Sequence, residues 1–340
     1  MTIVTNPPAR IRNIAELARL AGVSTGTVSR ALAGKSLVNK ETRERIQALA
    51  REHGFRPNQM ARRLRVQETR VIGVVVPLGH EQRQHLSDPF FMAILGYLAD
   101  ALTESGYDIM LSRVIPDEED WLERIVDSGM LDGVLVIGQS NQFETLERVA
   151  AYYRPMVVWG AHTPGQKHCT VGVDNRLGGR LAGECLIAGG RKRLAFLGEI
   201  GVPELRERYL GLCDAAAAAG LADPIRLDIH LASDTMAEEI ARQIDFIRTE
   251  IDGIASGSDL IAMNIVRALA DHNISVPQDV SVTGFDDLPL AEQTIPRLTT
   301  ISQNIAEGAR TMARLLFERI AGEDSAAVEM APTLVRRDTA

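Results

Sequence analysis

The run IAELARLAGVSTGTVSRALAG, residues 14–34, decides how the rest of the chain is read. Ile14, Leu17, Ala18 and Ala21 recur at i, i+3, i+4 and i+7, one face of a short helix that Gly22 ends. Ser24 is a good N-cap for a second helix, Thr25 to Leu32, in which Val28 and Leu32 point one way and Thr25, Gly26, Ser29 and Arg30 point elsewhere. Gly34 breaks that pattern. Asn39 then caps a third helix, Lys40 to His53, whose Ile46, Leu49 and Ala50 close over the first two. Three short helices with a tight glycine-containing turn between the first pair make a helix-turn-helix. Any small three-helix bundle shares this spacing, and charge separates the readings: Arg30 and hydroxyls line the exposed face of the second helix, with Arg19, Lys40, Arg43 and Arg45 nearby. Donors near the start of such a helix read base edges, while flanking cations and helix N-termini hold phosphates.

The charge distribution agrees. The 340 residues are 45% hydrophobic and 24% charged, proportions of a globular protein of two or more domains, and this excludes a disordered or fibrous chain. A net charge of −8 argues, taken whole, against a phosphate-bearing partner. Residues 1–70, however, hold 14 Lys+Arg against 5 Asp+Glu, a charge of +9, which leaves −17 on the remainder. A basic head on an acidic body suggests nucleic-acid binding at one end. Cys169, Cys185 and Cys213 lack the spacing of a zinc site or a disulfide framework and read as reduced core thiols. The opening MTIVTNPPARIRN has no apolar signal core, and no stretch reaches the roughly 18 apolar residues of a membrane span. A cytoplasmic protein without membrane contact is expected.

From Val71 the pattern becomes a β-α alternation. Strands are expected at Val71–Val76, Asp108–Leu111, Gly133–Ile137, Met156–Trp159, Leu194–Leu197, Gly253–Ala255 and Val280–Phe285. Helices are expected from Pro89 to about Ser105 and over Leu177–Ala188, Glu204–Ala219, Met236–Arg248 and Leu260–His272. Such alternation predicts parallel sheets with helices on both faces, and about 270 residues are enough for two lobes with a cleft. Dehydrogenases and kinases share the alternation, but G-x-G-x-x-G after the first strand and G-x-x-x-x-G-K-[ST] are absent, as are G-x-S-x-G and H-E-x-x-H. The seven histidines have no metal-ligand spacing. Binding is therefore expected ahead of catalysis, with no cofactor and no metal.

Residues 14–34 together with VNKETRERIQALAREHGFRPNQMARRLR (residues 38–65) resemble the DNA-binding head of the LacI/GalR family of bacterial repressors. Four further segments resemble that family's effector domain, of the type I periplasmic-binding-protein fold: residues 88–108, residues 171–186 with RERYLG at 206–211, residues 256–269 and residues 276–303. The implied fold is an all-α helix-turn-helix head plus a two-lobed α/β effector domain. The implied domains are a head over 1–56, a hinge helix and linker over 57–70, and an effector-binding and dimerisation domain over 71–340. Its N-lobe spans about 71–172 and 302–325, its C-lobe about 173–301 and 326–340.

The resemblance implies that Thr25, Gly26 and Arg30 occupy base-reading positions and that Ser24, Thr27, Ser29, Asn39 and Thr42 hold phosphates. Gly26 stands where relatives usually present a side chain, so base reading leans on Thr25 and Arg30. In the hinge, Asn58, Ala61, Arg62 and Arg65 flank Leu64, which in such a regulator wedges into a minor-groove base step. Phe90, Phe91, Trp159, Asp174, Arg208, Ser258, Asp259, Asp286 and Gln303 are the implied effector contacts. Four of these have a plainer alternative, the phenylalanines as core, Arg208 as a surface helix charge and Asp174 as a turn residue capping the helix at Leu177, while Asp287 beside Asp286 reads as a structural cap. Trp159-Gly160 replaces an acid found in many sugar-binding relatives, and Ser258 replaces a usual asparagine. The expected function is a homodimeric repressor on a pseudo-palindromic operator, controlled by a small molecule, with a sugar first. The alternatives are a nucleobase or other metabolite as effector, or a sugar-binding or sugar-modifying protein with a regulatory head.

Overall fold

The computed structural model describes residue 11 and residues 13–32, 37–55, 68–79, 83–231 and 233–340. The chain divides into two compact units, Met1–Thr69 and Arg70–Ala340. In the first, α1 (Ile14–Ala21), α2 (Thr25–Leu32) and α3 (Lys40–Glu52) stand where the periodicity predicts, with α3 ending just before His53. Their ends explain their lengths. Asn13 Oδ1 accepts the Glu16 N–H at 2.9 Å, and Gly22 leaves α1 in the left-handed region at φ 62°. Ser24 Oγ accepts the Thr27 N–H at 3.1 Å, and Asn39 Oδ1 the Thr42 N–H at 2.8 Å. Leu17, Val28, Ala31 and Ile46 are fully buried between the helices, and Leu32 is half-buried.

The second unit holds two six-stranded sheets. The first contains β1 (Val71–Pro77), β2 (Asp108–Val114), β3 (Gly133–Ile137), β4 (Met156–Trp159), β5 (Cys169–Val173) and β11 (Val328–Met330). Their order is β11-β5-β4-β3-β1-β2, and every pairing is parallel. The second sheet contains β6 (Leu194–Leu197), β7 (Ile225–Leu227), β8 (Gly253–Ser256), β9 (Ser281–Asp286), β10 (Thr299–Ser302) and β12 (Thr333–Val335). It runs β12-β10-β9-β8-β6-β7, parallel except for the antiparallel edge pair β10 and β12. Around the sheets pack α4 (Pro89–Glu104), α5 (Trp121–Val126), α6 (Phe143–Ala150), α7 (Asn175–Ala188), α8 (Pro203–Ala218), α9 (Ser233–Glu250), α10 (Asp259–Asp271) and α11 (Ile305–Ile320). Because helices cover both faces, central strands such as β3 and β8 are buried at every position and read as unbroken apolar runs.

The chain passes between the sheets three times: after Val173, after Ser302 and after Met330. This corrects the lobe limits expected from sequence. Val173 ends a first-sheet strand, Ser302 pairs with Asp286 in the second sheet, and the last return comes after Met330 rather than after residue 325. The reason is that Val328–Met330 pairs in parallel with Val171–Val173. A three-residue strand at an edge has too few residues to show a period. The three cysteines are free, and burial pushes all three thiols up. Among the described residues no helix is long and apolar enough to cross a membrane.

One helix contact positions the functional residues directly. Where α7 crosses α8, a Cβ on Gly179 would stand 1.9 Å from the Arg208 carbonyl oxygen, and one on Gly211 2.0 Å from that of Arg176. Only glycine permits this approach, which seats Arg208 between the helices.

Candidate functional site

In the helical unit, Thr25, Ser29 and Arg30 are exposed on α2. The Arg30 guanidinium lies along the bare backbone of Gly26, 3.5 Å from where a Cβ would stand. Ser24 and Asn39 cap α2 and α3 through their side chains, so their hydroxyl and amide groups sit beside the helix N-termini where a phosphate is favoured. Ser24 Oγ and Thr27 Oγ1 are also 2.9 Å apart. Arg45 differs from its expected place among cations open to phosphate, since it donates to the last carbonyl of α1, Ala21, at 3.0 Å. Asn58, Ala61, Arg62, Leu64 and Arg65 lie outside the described residues.

The second unit contains an open cleft that encloses about 680 Å³, its mouth included. Both lobes line it. Phe90, Phe91 and Trp159 come from the first, Arg208, Ser258 and Asp286 from the second, and Gln303 from the crossover after β10. Phe90 is half-buried and tilts 53° against Trp159 with ring centroids 6.2 Å apart. Trp159 keeps only 5% of its surface, because its six-membered ring lies over Gly308 of α11, where a Cβ would come within 2.2 Å. Trp159 therefore shapes the wall, and Phe90 presents the open aromatic face.

The polar end is a buried charge cluster. Arg208 Nε donates to Asn175 Oδ1 at 2.8 Å and Nη1 to the Gly257 carbonyl at 2.6 Å, while the guanidinium stacks 3.6 Å from the Phe285 ring centroid. Asp286 accepts the Gln303 side-chain amide at 2.5 Å. Asp286 and Asp287 both take positive φ, 131° and 58°, a strained exit from β9 of the kind that collects at binding sites. Burial, then the neighbouring Asp259 carboxylate, raises the Asp286 carboxyl well above its ordinary 3.8, against the pull of Arg208. Burial likewise raises Asp88.

A raised native pKa means that the folded state binds the proton more tightly than the unfolded chain does. The associated stability is present below the ordinary carboxyl pKa and is lost as pH rises through the native value. Asp286→Asn is therefore expected to gain stability relative to wild type between about pH 4 and pH 7, since unfolded carboxyls titrate near 4. Thermal unfolding of both proteins across that range checks this, and a constant difference would exclude a buried proton at Asp286.

Two expected effector contacts do not line the cleft. Asp174 caps α7, accepting the Leu177 N–H at 2.8 Å. Asp259, fully buried, turns behind the cleft wall and accepts the Leu288 N–H at 2.8 Å and the Thr300 hydroxyl. Asp287 is an ion-pair partner of Arg337, at 2.7 Å, rather than a cap. Conversely, Gln84, Asp88, Gln139, Ser140 and Glu204 line the cleft and were not singled out from sequence. Gln139 and Ser140 follow β3 as Asp286 ends β9, so the rule that ligands sit at the carboxyl ends of parallel strands would have found them.

A helix-turn-helix unit followed by a two-lobed body with a central cleft defines a DNA-binding transcriptional regulator. Residues 13–58 match the bacterial regulatory proteins of the lacI family, and residues 184–340 match the periplasmic binding protein-like domain. The chain belongs to the lacI family. It is 31% identical over 312 residues to the HTH-type transcriptional regulator RegA of Clostridium saccharobutylicum, covering 90% of this chain and 92% of the relative. It is also 31% identical to CelR of Thermobifida fusca over 92% of this chain and 93% of that one. Among solved structures, a CelR–cellobiose complex superposes with a TM-score of 0.67 at 28% identity, covering 97% of this chain and 100% of the other. The lac repressor dimer bound to operator and an anti-inducer shares the fold with a TM-score of 0.83 at 21% identity, covering 97% and 99%.

Proposed function

We propose that this regulator is a cytoplasmic repressor that binds a pseudo-palindromic operator as a homodimer and is controlled by a sugar held in the cleft. The carrying observation is the composition of the cleft: Phe90 for an apolar sugar face, and Arg208, Asp286 and Gln303 for hydroxyls, with both lobes contributing. A molecule touching both lobes favours one lobe arrangement over another, and by linkage operator and effector must alter each other's affinity equally. The relatives agree in kind, since a CelR structure holds cellobiose and another lacI-family structure holds ribose. Binding without turnover is the role proposed. Thr25 and Arg30 read bases, Ser24, Thr27, Ser29, Asn39 and Thr42 meet phosphates, and Leu64 is the minor-groove wedge.

Selection of operator sequences from a random DNA pool by the full-length protein, followed by titration of the selected complex with a sugar panel, tests this. Two half-sites related by dyad symmetry are expected, with at least one sugar changing operator affinity by about tenfold or more, a coupling within the usual 1–3 kcal/mol. An asymmetric single site would remove the dimer, and indifference to every sugar would remove the sugar.

A further inference from the structure

Gly308 stands behind the cleft wall, buried in the first turn of α11, and does not line the cleft itself. Inside a helix glycine is less favourable than alanine, so the helix gains nothing from it. The six-membered ring of Trp159 occupies the space that a side chain at 308 would take. A Cβ there would stand 2.2 Å from Cζ3 and 2.7 Å from Cη2. The third neighbour, the Met330 methyl at 2.9 Å, ends a flexible side chain and yields easily. The two backbones do not yield. Trp159 pairs in register with Ile137 of β3 and Val171 of β5, and α11 is anchored by the buried Ile305, Ala309 and Met312. Carbon atoms are comfortable about 3.5–4 Å apart, so a methyl group at 308 forces the indole to turn about its side-chain bonds. Much of the ring's surroundings is the core of the first lobe, where Ile94, Val171, Ala309 and Met312 are fully buried and closely packed. The free space lies on the other side, in the cleft, toward the half-buried Phe90.

We infer that Gly308 is a positioning residue for the effector: it leaves a notch in α11 into which Trp159 lies back, and so sets how much of the cleft a ligand can fill. This rests on the cleft as the effector site, whether or not the effector is a sugar. With alanine at 308 the indole swings toward Phe90, takes up the room in front of that ring and opens to solvent. An effector that fits the wild-type cleft then meets an overfilled one. The residue that limits effector size thus sits on a helix that the effector does not touch, and acts through a side chain 149 positions earlier in the chain.

Acrylamide quenching of tryptophan emission reads the ring directly and needs no effector. The chain has two tryptophans, and Trp121 is buried in a separate core with its indole N–H held by Gln142. Gly308→Ala in the full-length protein is expected to raise quenching and shift emission to the red, and both changes should vanish when Trp159→Leu is added. In isothermal titration with cellobiose and D-ribose, Gly308→Ala is expected to weaken whichever sugar the wild-type protein binds by about tenfold or more, the cost of overfilling a packed space. In the Trp159→Leu background the same change should alter affinity by less than about twofold, since no ring is left to move. Unchanged quenching overturns the inference. So does an affinity loss that persists in the Trp159→Leu background, which traces the effect to α11 itself. Failure of Gly308→Ala to fold overturns it too, because the ring then finds no room in the cleft. Should neither sugar bind the wild-type protein, the choice of sugar is at fault, and quenching decides the position of the ring.

Discussion

Arg30→Ala is expected to abolish discrimination between operator and random DNA while leaving the helical unit folded. A guanidinium taking a guanine edge bidentately contributes about 1–3 kcal/mol per site, so a dimer on two half-sites loses about 2–6 kcal/mol. The fold should survive because Arg30 is exposed on α2, whose buried residues are Val28 and Ala31. Gly26 matters to the same event. With no side chain there, the guanidinium rests on the backbone one turn earlier, close to the start of the helix. Binding of operator and scrambled duplexes at two salt concentrations separates the roles. A base-reading arginine costs affinity only on the operator, whereas a phosphate contact weakens both duplexes alike and flattens the salt dependence. Retained preference for the operator would take Arg30 out of the reading set.

Arg208→Ala is expected to remove the effector response and to destabilise the body. The residue is 7% exposed, and loss of its side chain leaves Asn175 Oδ1 and the Gly257 carbonyl without their donor and Asp286 without its cation. Breaking a buried charge arrangement from one side costs about 3–5 kcal/mol. Arg208→Lys keeps the charge but loses the planar fork that spans two acceptors and stacks on Phe285, so it should recover stability more than effector affinity. Thermal unfolding and operator binding with and without effector measure the two losses separately. Operator release by effector at wild-type concentrations in the alanine protein would move the effector away from this cleft.

Particular residues show how far the chain could be read before it was folded. Asp286 was legible because an acid at the carboxyl end of a buried parallel strand has few structural uses. Arg208 was legible through RERYLG, although the reason for Gly211 emerged only with the crossing of α7 over α8. Asp174 and Asp259 do not line the cleft although both are expected there, because an acid at a strand-to-helix junction serves equally as a cap or a ligand, and only the direction of the side chain distinguishes these. Trp159 was placed in the wall but not behind Gly308, since that contact joins positions 149 residues apart. Glu204 carries no local signal, being an ordinary acid in the first turn of a helix.

The sequence by itself determined the helix-turn-helix, the alternation of the body and the division of charge into +9 and −17. Each of these is a local property: a period of 3.6, a run of strand-forming residues, or a count along the chain. The tertiary structure decided which side chains share the cleft and which lobe each segment joins. Those outcomes rest on three passages between sheets and on pairings such as Val328–Met330 with Val171–Val173, whose energies come from partners far away in the chain. The acidity of the body thus acquired a location that no count could supply, with three carboxylates and one arginine among the described residues that line a single cavity.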